Sequence, residues 1–192
     1  GTCWNSMTVT KAGSPIPRLY TSCDRMVVLP ATELSAEFET ETKFKNRVAG
    51  KVNIIYQWRI TEPITFISSA KSITSSPVDA DNKIDPSALE IVENSVVDKM
   101  LIDLIREYTP EIEAGNVDEL EFEKELSSLA SKKINRGITF SNMSVNVNFS
   151  AQTEEALDVM SALKFYEQSG QLELGKKIIE AKAGATKINI TP

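Results

Sequence analysis

The period of the sequence changes abruptly at Phe149, and few folds accommodate what lies on both sides. Upstream, Ile138-Thr139-Phe140 and Met143-Ser144-Val145-Asn146-Val147-Asn148-Phe149 alternate apolar and polar residues, which predicts a strand with one buried and one wet face. The polar pair Ser141-Asn142 interrupts the alternation, as a bulge or a kink does. Downstream, Thr153-Glu154-Glu155 supplies a capping hydroxyl and two acids, a helix start. A stripe follows through Ala156, Met160, Leu163, Tyr166, Gly170, Leu174, Ile178, Ala181 and Ala185. Its mean step is about 3.6 residues, one face of an α-helix. A helix of about 30 residues is on the order of 45 Å long, wider than a small domain. The expectation is therefore one long C-terminal helix that folds back on its own sheet over residues 156–166 and projects from its own domain beyond Gly170, where packing against another molecule is expected.

The strand has partners earlier in the chain. Leu34, Ala36, Phe38, Thr40, Thr42 and Phe44 share one face of an alternating run, with Glu33, Ser35, Glu37, Glu39, Glu41 and Lys43 on the other. After the short turn Lys45-Asn46-Arg47, a second run places Val48, Gly50, Val52, Ile54, Tyr56, Trp58 and Ile60 on one face, ending at Thr61-Glu62-Pro63. The two runs predict an antiparallel hairpin. Strands near 34–44, 48–60 and 138–149 are expected in one sheet.

Ile64 to Ser72 predicts a short helix, and Ser72 to Asp85 a polar surface loop. Asp85-Pro86 opens a helix to Tyr108 with the stripe Leu89, Val92, Val96, Met100, Leu104 and Tyr108. Asn116-Val117-Asp118-Glu119 caps a further helix that buries Leu120, Phe122, Leu126, Leu129 and Ala130, and Lys133 to Gly137 closes it. Strands first, then helices, a strand and a helix is α+β: an antiparallel-rich sheet with helices on one face, then the long projecting helix. The expected domains are 1–32, irregular with short strands at Met7–Thr10 and Met26–Pro30; 33–150, the α+β unit; and 151–192, the oligomerising helix.

Candidate chemistry is sparse. The 192 residues contain no histidine, which rules Ser-His-Asp and Cys-His catalysis out of this chain. Its two cysteines, Cys3 and Cys23, lack the company of a structural zinc site, and either free thiols or a disulfide fits them. Its glycines form no phosphate loop. The acidic cluster Glu111, Glu113, Asp118, Glu119, Glu121, Glu123 and Glu125 lacks calcium-loop spacing and reads as a solvated helix start. Glu37, Glu39 and Glu41 read as the exposed face of a strand rather than a glycosidase pair, and Tyr56 and Trp58 as core. With 21 basic against 27 acidic residues, net −6, the chain is not a nucleic-acid binder by charge. No catalytic, cofactor or metal site is expected.

The chain resembles the Band 7, or SPFH, superfamily of stomatins, prohibitins and flotillins. The likeness lies in Val52-Asn53-Ile54-Ile55-Tyr56-Gln57-Trp58-Arg59-Ile60-Thr61-Glu62-Pro63, in the helix, Arg136-Gly137-Ile138 and strand from Phe122 to Val147, and in the helix from Glu154. It departs from the family at 18–30, at the Asn46-to-Gly50 turn, in the insertion-like 72–87 and in the helical Gly170, Gly175 and Gly184. The resemblance implies a divergent, non-enzymatic, membrane-associated oligomeric scaffold that organises membrane proteins, in some members beside a membrane protease. Its partners are copies of itself or of a relative, and its coiled-coil-like helix carries assembly. No apolar run reaches the ~18 residues of a membrane span, so attachment is expected through a segment upstream of Gly1, on an unspecified side of an unspecified membrane. The expected interface residues are Leu163, Tyr166, Leu172, Leu174, Ile178, Ile179 and Ala181. The alternative is a soluble ligand-binding or hydrolytic α+β domain whose helix is a linker.

Overall fold

A computed structural model describes residues 28–70, 85 and 87–190, with side chains through residue 183. Its framework is a three-stranded antiparallel sheet in the order β1-β2-β3: β1 (Leu34–Lys43), β2 (Ala49–Ile60) and β3 (Ile138–Asn148). All three expected strands thus share one sheet. In the β1–β2 register Phe38 faces Ile54 and Thr40 faces Val52; across β2–β3, Ile54 faces Val145 and Val52 faces Val147. Matching apolar faces leave little freedom, because a one-residue slip would turn every buried side chain to water.

Two irregularities adjust that sheet. The hairpin turn Lys45–Arg47 is a 3-10 turn in which Asn46 and Arg47 both take φ 62°, closed by the Phe44 N–H to Val48 carbonyl bond of 2.8 Å. Asparagine tolerates that conformation; arginine takes it less readily. In β3 the pairing jumps from Gln57↔Asn142 to Trp58↔Phe140, leaving Ser141 as a bulge. The bulge reverses the alternation, which is why Phe140 and Met143 both pack against the core.

The helices are α1 (Pro63–Ser69), α2 (Ser87–Val92), α3 (Asp98–Tyr108) and α4 (Glu119–Lys133). α2 and α3 are joined by a π-helical turn, Glu93–Val97. α2 starts where the Asp85 carboxylate accepts a 2.9 Å bond from the Ser87 N–H, and α4 starts where Asp118 accepts from Leu120 and Glu121. Val52, Ile54, Tyr56 and Trp58 of β2 are fully buried, together with Leu101 and Ile105 of α3 and Phe122, Leu126 and Ala130 of α4. The opposite sheet face is left open: Ile55 is 49% exposed. This is the α+β arrangement, with helices on one face.

The buried stripe of α2–α3 runs Val92, Val97, Leu101 and Ile105 rather than Val92, Val96, Met100 and Leu104; Leu89, Val96, Met100 and Tyr108 are half-buried, and Leu104 alone of the later positions is buried as expected. The π-helical turn inserts one residue per turn, and everything beyond it rotates by that residue. Leu120 is another correction: it is 69% exposed, because the first turn of α4 points its 120 position away from the sheet while Phe122 points inward. Val28–Pro30 form no strand; Met7–Thr10, Met26, Cys3, Cys23 and most of the 72–85 loop lie outside the described residues.

Gly137 links the ends of the framework. Its carbonyl accepts from the Thr61 and Glu62 N–H groups at 2.9 and 3.0 Å, and its φ is 73°. A Cβ there would collide with the Glu62 carbonyl oxygen and lie 2.7 Å from the Phe66 nitrogen.

The single helix expected over 153–185 is two helices, α5 (Ala151–Gln168) and α6 (Leu172–Ile190). α5 begins at Ser150, whose Oγ accepts from the Thr153 N–H at 3.2 Å. It ends in a Schellman motif: Gly170, at φ 73°, donates to the Glu167 carbonyl, and Gln171 donates to the Tyr166 carbonyl. Glycine at this position stops a helix that the apolar period alone would continue.

Candidate functional site

Two features of the framework invite a functional reading: a pair of acids, Glu93 and Asp98, held by the helical segment against β2, and the exposed apolar surface of α5 and α6. The acids come first. Tyr56 and Trp58 are two residues apart on β2 and point into the core, so each needs a partner for its polar atom. The Tyr56 hydroxyl donates to Asp98 Oδ1 at 2.6 Å, and Trp58 Nε1 donates to Glu93 Oε2 at 2.8 Å. On an α-helix, residues five apart diverge by about 140° and could not both meet one strand face. The π-helical turn, which bonds the Asp98 N–H to the Glu93 carbonyl, brings them over the same strand.

Burial raises the Asp98 carboxyl above its ordinary range, opposed by the Tyr56 hydrogen bond. Burial also raises Glu93, with the Trp58 bond opposing it and the charges of Asp98 and Glu90 adding to it. The Tyr56 phenol is pushed far above its usual value by burial, by its hydrogen bond to Asp98, and by the charges of Asp98 and Glu93. Raised acids are often catalytic. Here each carboxylate is occupied by a ring donor. The cavity beside them, lined by Phe66, Val92, Val96, Met100 and Ile138, holds about one water (about 10 Å3) and is lined by neither acid. The pair ties helix to sheet, and the sequence carries no local mark of it beyond the two aromatic residues.

The acidic cluster at 111–125 is divided among separate tasks. Asp118 caps α4. Glu119 and Glu123 accept from the outward N–H groups of Val147 and Val145, at 3.0 and 3.1 Å, and so cover the edge of β3. Glu113 faces Lys45 at 3.8 Å and Lys164 at 4.0 Å. Glu111 and Glu121 line an open depression floored by Tyr108, Ile112, Val117 and Phe122. Burial, then the charges of Glu125 and Glu121, raises the Tyr108 phenol.

α5 buries none of its residues. It meets the framework through Leu157, which packs on the core near Gly115, and through Lys164. The expectation that 156–166 folds back on the sheet is corrected: Ala156 is exposed and Met160 is 56% exposed. Of the expected interface residues, Leu163, Tyr166, Leu172, Ile178 and Ile179 are half-buried, Leu174 is 50% exposed, and Ala181 is exposed. Tyr166 packs against buried Gly175, where any Cβ would overlap its ring, and so fastens α6 to α5. The turn at Gly170 separates the remaining residues into two helical faces. Phe165, 65% exposed and in edge contact with Tyr166, is an apolar surface residue that the stripe missed, because it sits one position off the stripe.

No protein-family model matches this chain, and no curated protein matches it significantly.

Proposed function

We propose that this chain is a non-catalytic subunit of a membrane-associated scaffold, held to its neighbours by a C-terminal arm, α5 and α6, that projects from the α+β framework. The observation that carries this reading is the contrast in cover. An 18-residue helix without a buried residue exposes Met160 and Phe165, and the helix after it exposes Leu174. Each aliphatic or aromatic side chain removed from water is worth about 1.5–3 kcal/mol, so a second surface is the stable resting place for this arm. The Band 7-like residues of β2, Gly137 and β3 favour the same reading, with attachment to the bilayer through sequence outside this chain and a membrane protease among the partners to test.

The absence of turnover belongs to the same proposal. Glu93 and Asp98 are engaged by Trp58 and Tyr56, which favours a structural role for them over general acid catalysis. Sedimentation velocity of the purified chain across a hundredfold concentration range tests the assembly. The expected result is reversible association beyond a monomer, with no hydrolysis of ester, peptide or nucleotide substrates. A monomer at every concentration, or activity that survives purification, overturns the proposal in favour of a soluble ligand-binding or hydrolytic domain.

A further inference from the structure

We infer that the free edge of β1 takes up an extended, basic segment of another protein as an added strand of the sheet. The two edges of the sheet differ. On β3 the outward N–H groups are those of Val145 and Val147, and Glu123 and Glu119 accept from them. The register carries this alternation across the sheet: Val145 faces Ile54, which faces Phe38, and Val147 faces Val52, which faces Thr40. The backbone groups of Phe38 and Thr40 therefore turn inward to β2, and those of Ser35, Glu37, Glu39 and Glu41 turn outward. The Lys43 carbonyl belongs to the same outward series and accepts from the Thr109 hydroxyl at 3.0 Å, which fixes the phase independently. Among the described residues, no acceptor meets the outward N–H groups of Ser35, Glu37 and Glu39.

The side chains along this edge say what an added strand must carry. Glu37, Glu39 and Glu41 are exposed on the open face of the sheet, one at every second position. Among the described residues, the cation on that stretch of the face is Lys51 of β2, 3.8 Å from Glu39 and opposite Glu41; Glu37 accepts from Asn53 at 3.1 Å. Lys43 and Arg59 stand at the two ends. The carboxylates are in excess, and they stand on the edge strand while Lys51 stands behind it. On the helix side Leu34, Ala36 and Phe38 pack on the core but are only half-buried, so each leaves surface to an incoming side chain. Arg106, reaching the Thr40 hydroxyl at 3.5 Å, closes that side beyond Phe38. The matching strand therefore alternates, with lysine or arginine opposite the glutamates and aliphatic side chains opposite Leu34, Ala36 and Phe38.

The same row of acids disfavours a second copy as the occupant. Two β1 edges paired antiparallel would set these glutamates against their own counterparts on one face, and like charges directly opposite are destabilising. Charges commonly guard an exposed edge in this way. This guard admits a strand of opposite charge, for which main-chain bonds give affinity and the glutamates give selection. The inference stands apart from self-association through the arm, which uses other residues.

The test uses the full chain and a labelled peptide of about seven residues alternating lysine and valine, long enough to span Ser35 to Glu41. Fluorescence anisotropy reads its affinity, and amide hydrogen exchange by NMR reads where it lies. The Ser35, Glu37 and Glu39 amides should exchange quickly in the free chain and be protected by the peptide. Glu39→Pro removes an outward N–H while sparing the ladder to β2. It should weaken binding by roughly tenfold or more, beyond the loss from Glu39→Gln, because main-chain pairing supplies the affinity. Glu37→Lys with Glu41→Lys should weaken it by a similar factor, with circular dichroism verifying the fold of each variant. A glutamate–valine peptide should not bind, nor should a lysine–valine peptide with its backbone nitrogens methylated. Equal binding of the methylated peptide, or equal effects of Glu39→Pro and Glu39→Gln, would reduce the contact to charge alone and overturn the proposal. Failure of the lysine–valine peptide to bind would overturn it too, as would slow exchange of those amides in the free chain, which would show the edge already filled by this chain or a second copy.

Discussion

α4 and α5 are both amphipathic in sequence, yet they end in different circumstances. α4 buries Phe122, Leu126 and Ala130 against the sheet, each at most 1% exposed, and its glutamates bond the edge of β3. α5 is longer and buries nothing. A helical period therefore specifies that a face needs cover, and only the surrounding topology decides which molecule supplies it. The framework helices derive their stability from the sheet. On the arm, Leu157 meets the core and Tyr166 meets Gly175, and in the proposed scaffold the remaining cover comes from a second copy.

The sharpest way to break this comparison is to truncate side chains on both sides of it. Trp58→Ala removes a fully buried ring and its bond to Glu93, and should cost about 3–5 kcal/mol or more in urea unfolding. Phe165→Ala on the arm should change the unfolding free energy of the monomer by less than about 0.5 kcal/mol. Comparable losses at the two positions would mean that the arm is packed on the framework after all.

A smaller effect distinguishes two glycines that share φ 73°. Gly137→Ala meets both the strained conformation and the Glu62 carbonyl, and should cost more than about 2 kcal/mol in the same measurement. Gly170→Ala has open space around it and should cost about 1 kcal/mol, confined to the α5–α6 turn and read by hydrogen exchange there.

The smallest expected effect is electrostatic. Glu93 and Asp98 have folded values raised above their unfolded ones, so the unfolded chain gives up these protons first as pH rises. Their contribution to stability is fully present below the ordinary carboxylate range and is lost as pH rises through the raised folded values. The Asp85 carboxyl, lowered by the Ser87 bond, contributes with the opposite sign. Glu93→Gln with Asp98→Asn should therefore flatten the fall in stability as pH rises above the ordinary carboxylate range, relative to the wild type. An unchanged slope in denaturant titrations at several pH values would show that the two acids do not titrate differently on folding.

Much of the framework was legible because strands announce themselves by a period of two. Phe38, Val52, Ile54, Tyr56, Val145 and Val147 sit on the faces that alternation assigned them, and the polar interruption at Ser141 is the bulge. The π-helical turn was not legible: Val92, Val96, Met100 and Leu104 satisfy an ordinary helical period, and the extra residue exists to align Glu93 and Asp98 with Trp58 and Tyr56 across the fold. Such a tie is tertiary and leaves no local pattern. The break at Gly170 did have a local signal, glycine itself, but the small residue also fits an apolar stripe, and the stripe absorbed it. Burial on the arm was misjudged for a related reason. Period identifies the apolar side of a helix without saying whether its own sheet extends far enough to meet it.

The central claim is that the arm, not the framework, joins one copy to the next. Its most direct test is the mass in solution of the full chain carrying Leu174→Glu with Ile178→Glu, measured beside the wild type by light scattering after size exclusion. The account predicts an assembled wild type and a monomeric double variant, with the urea midpoint of the framework unchanged. A double variant that assembles to the same mass as the wild type would contradict it.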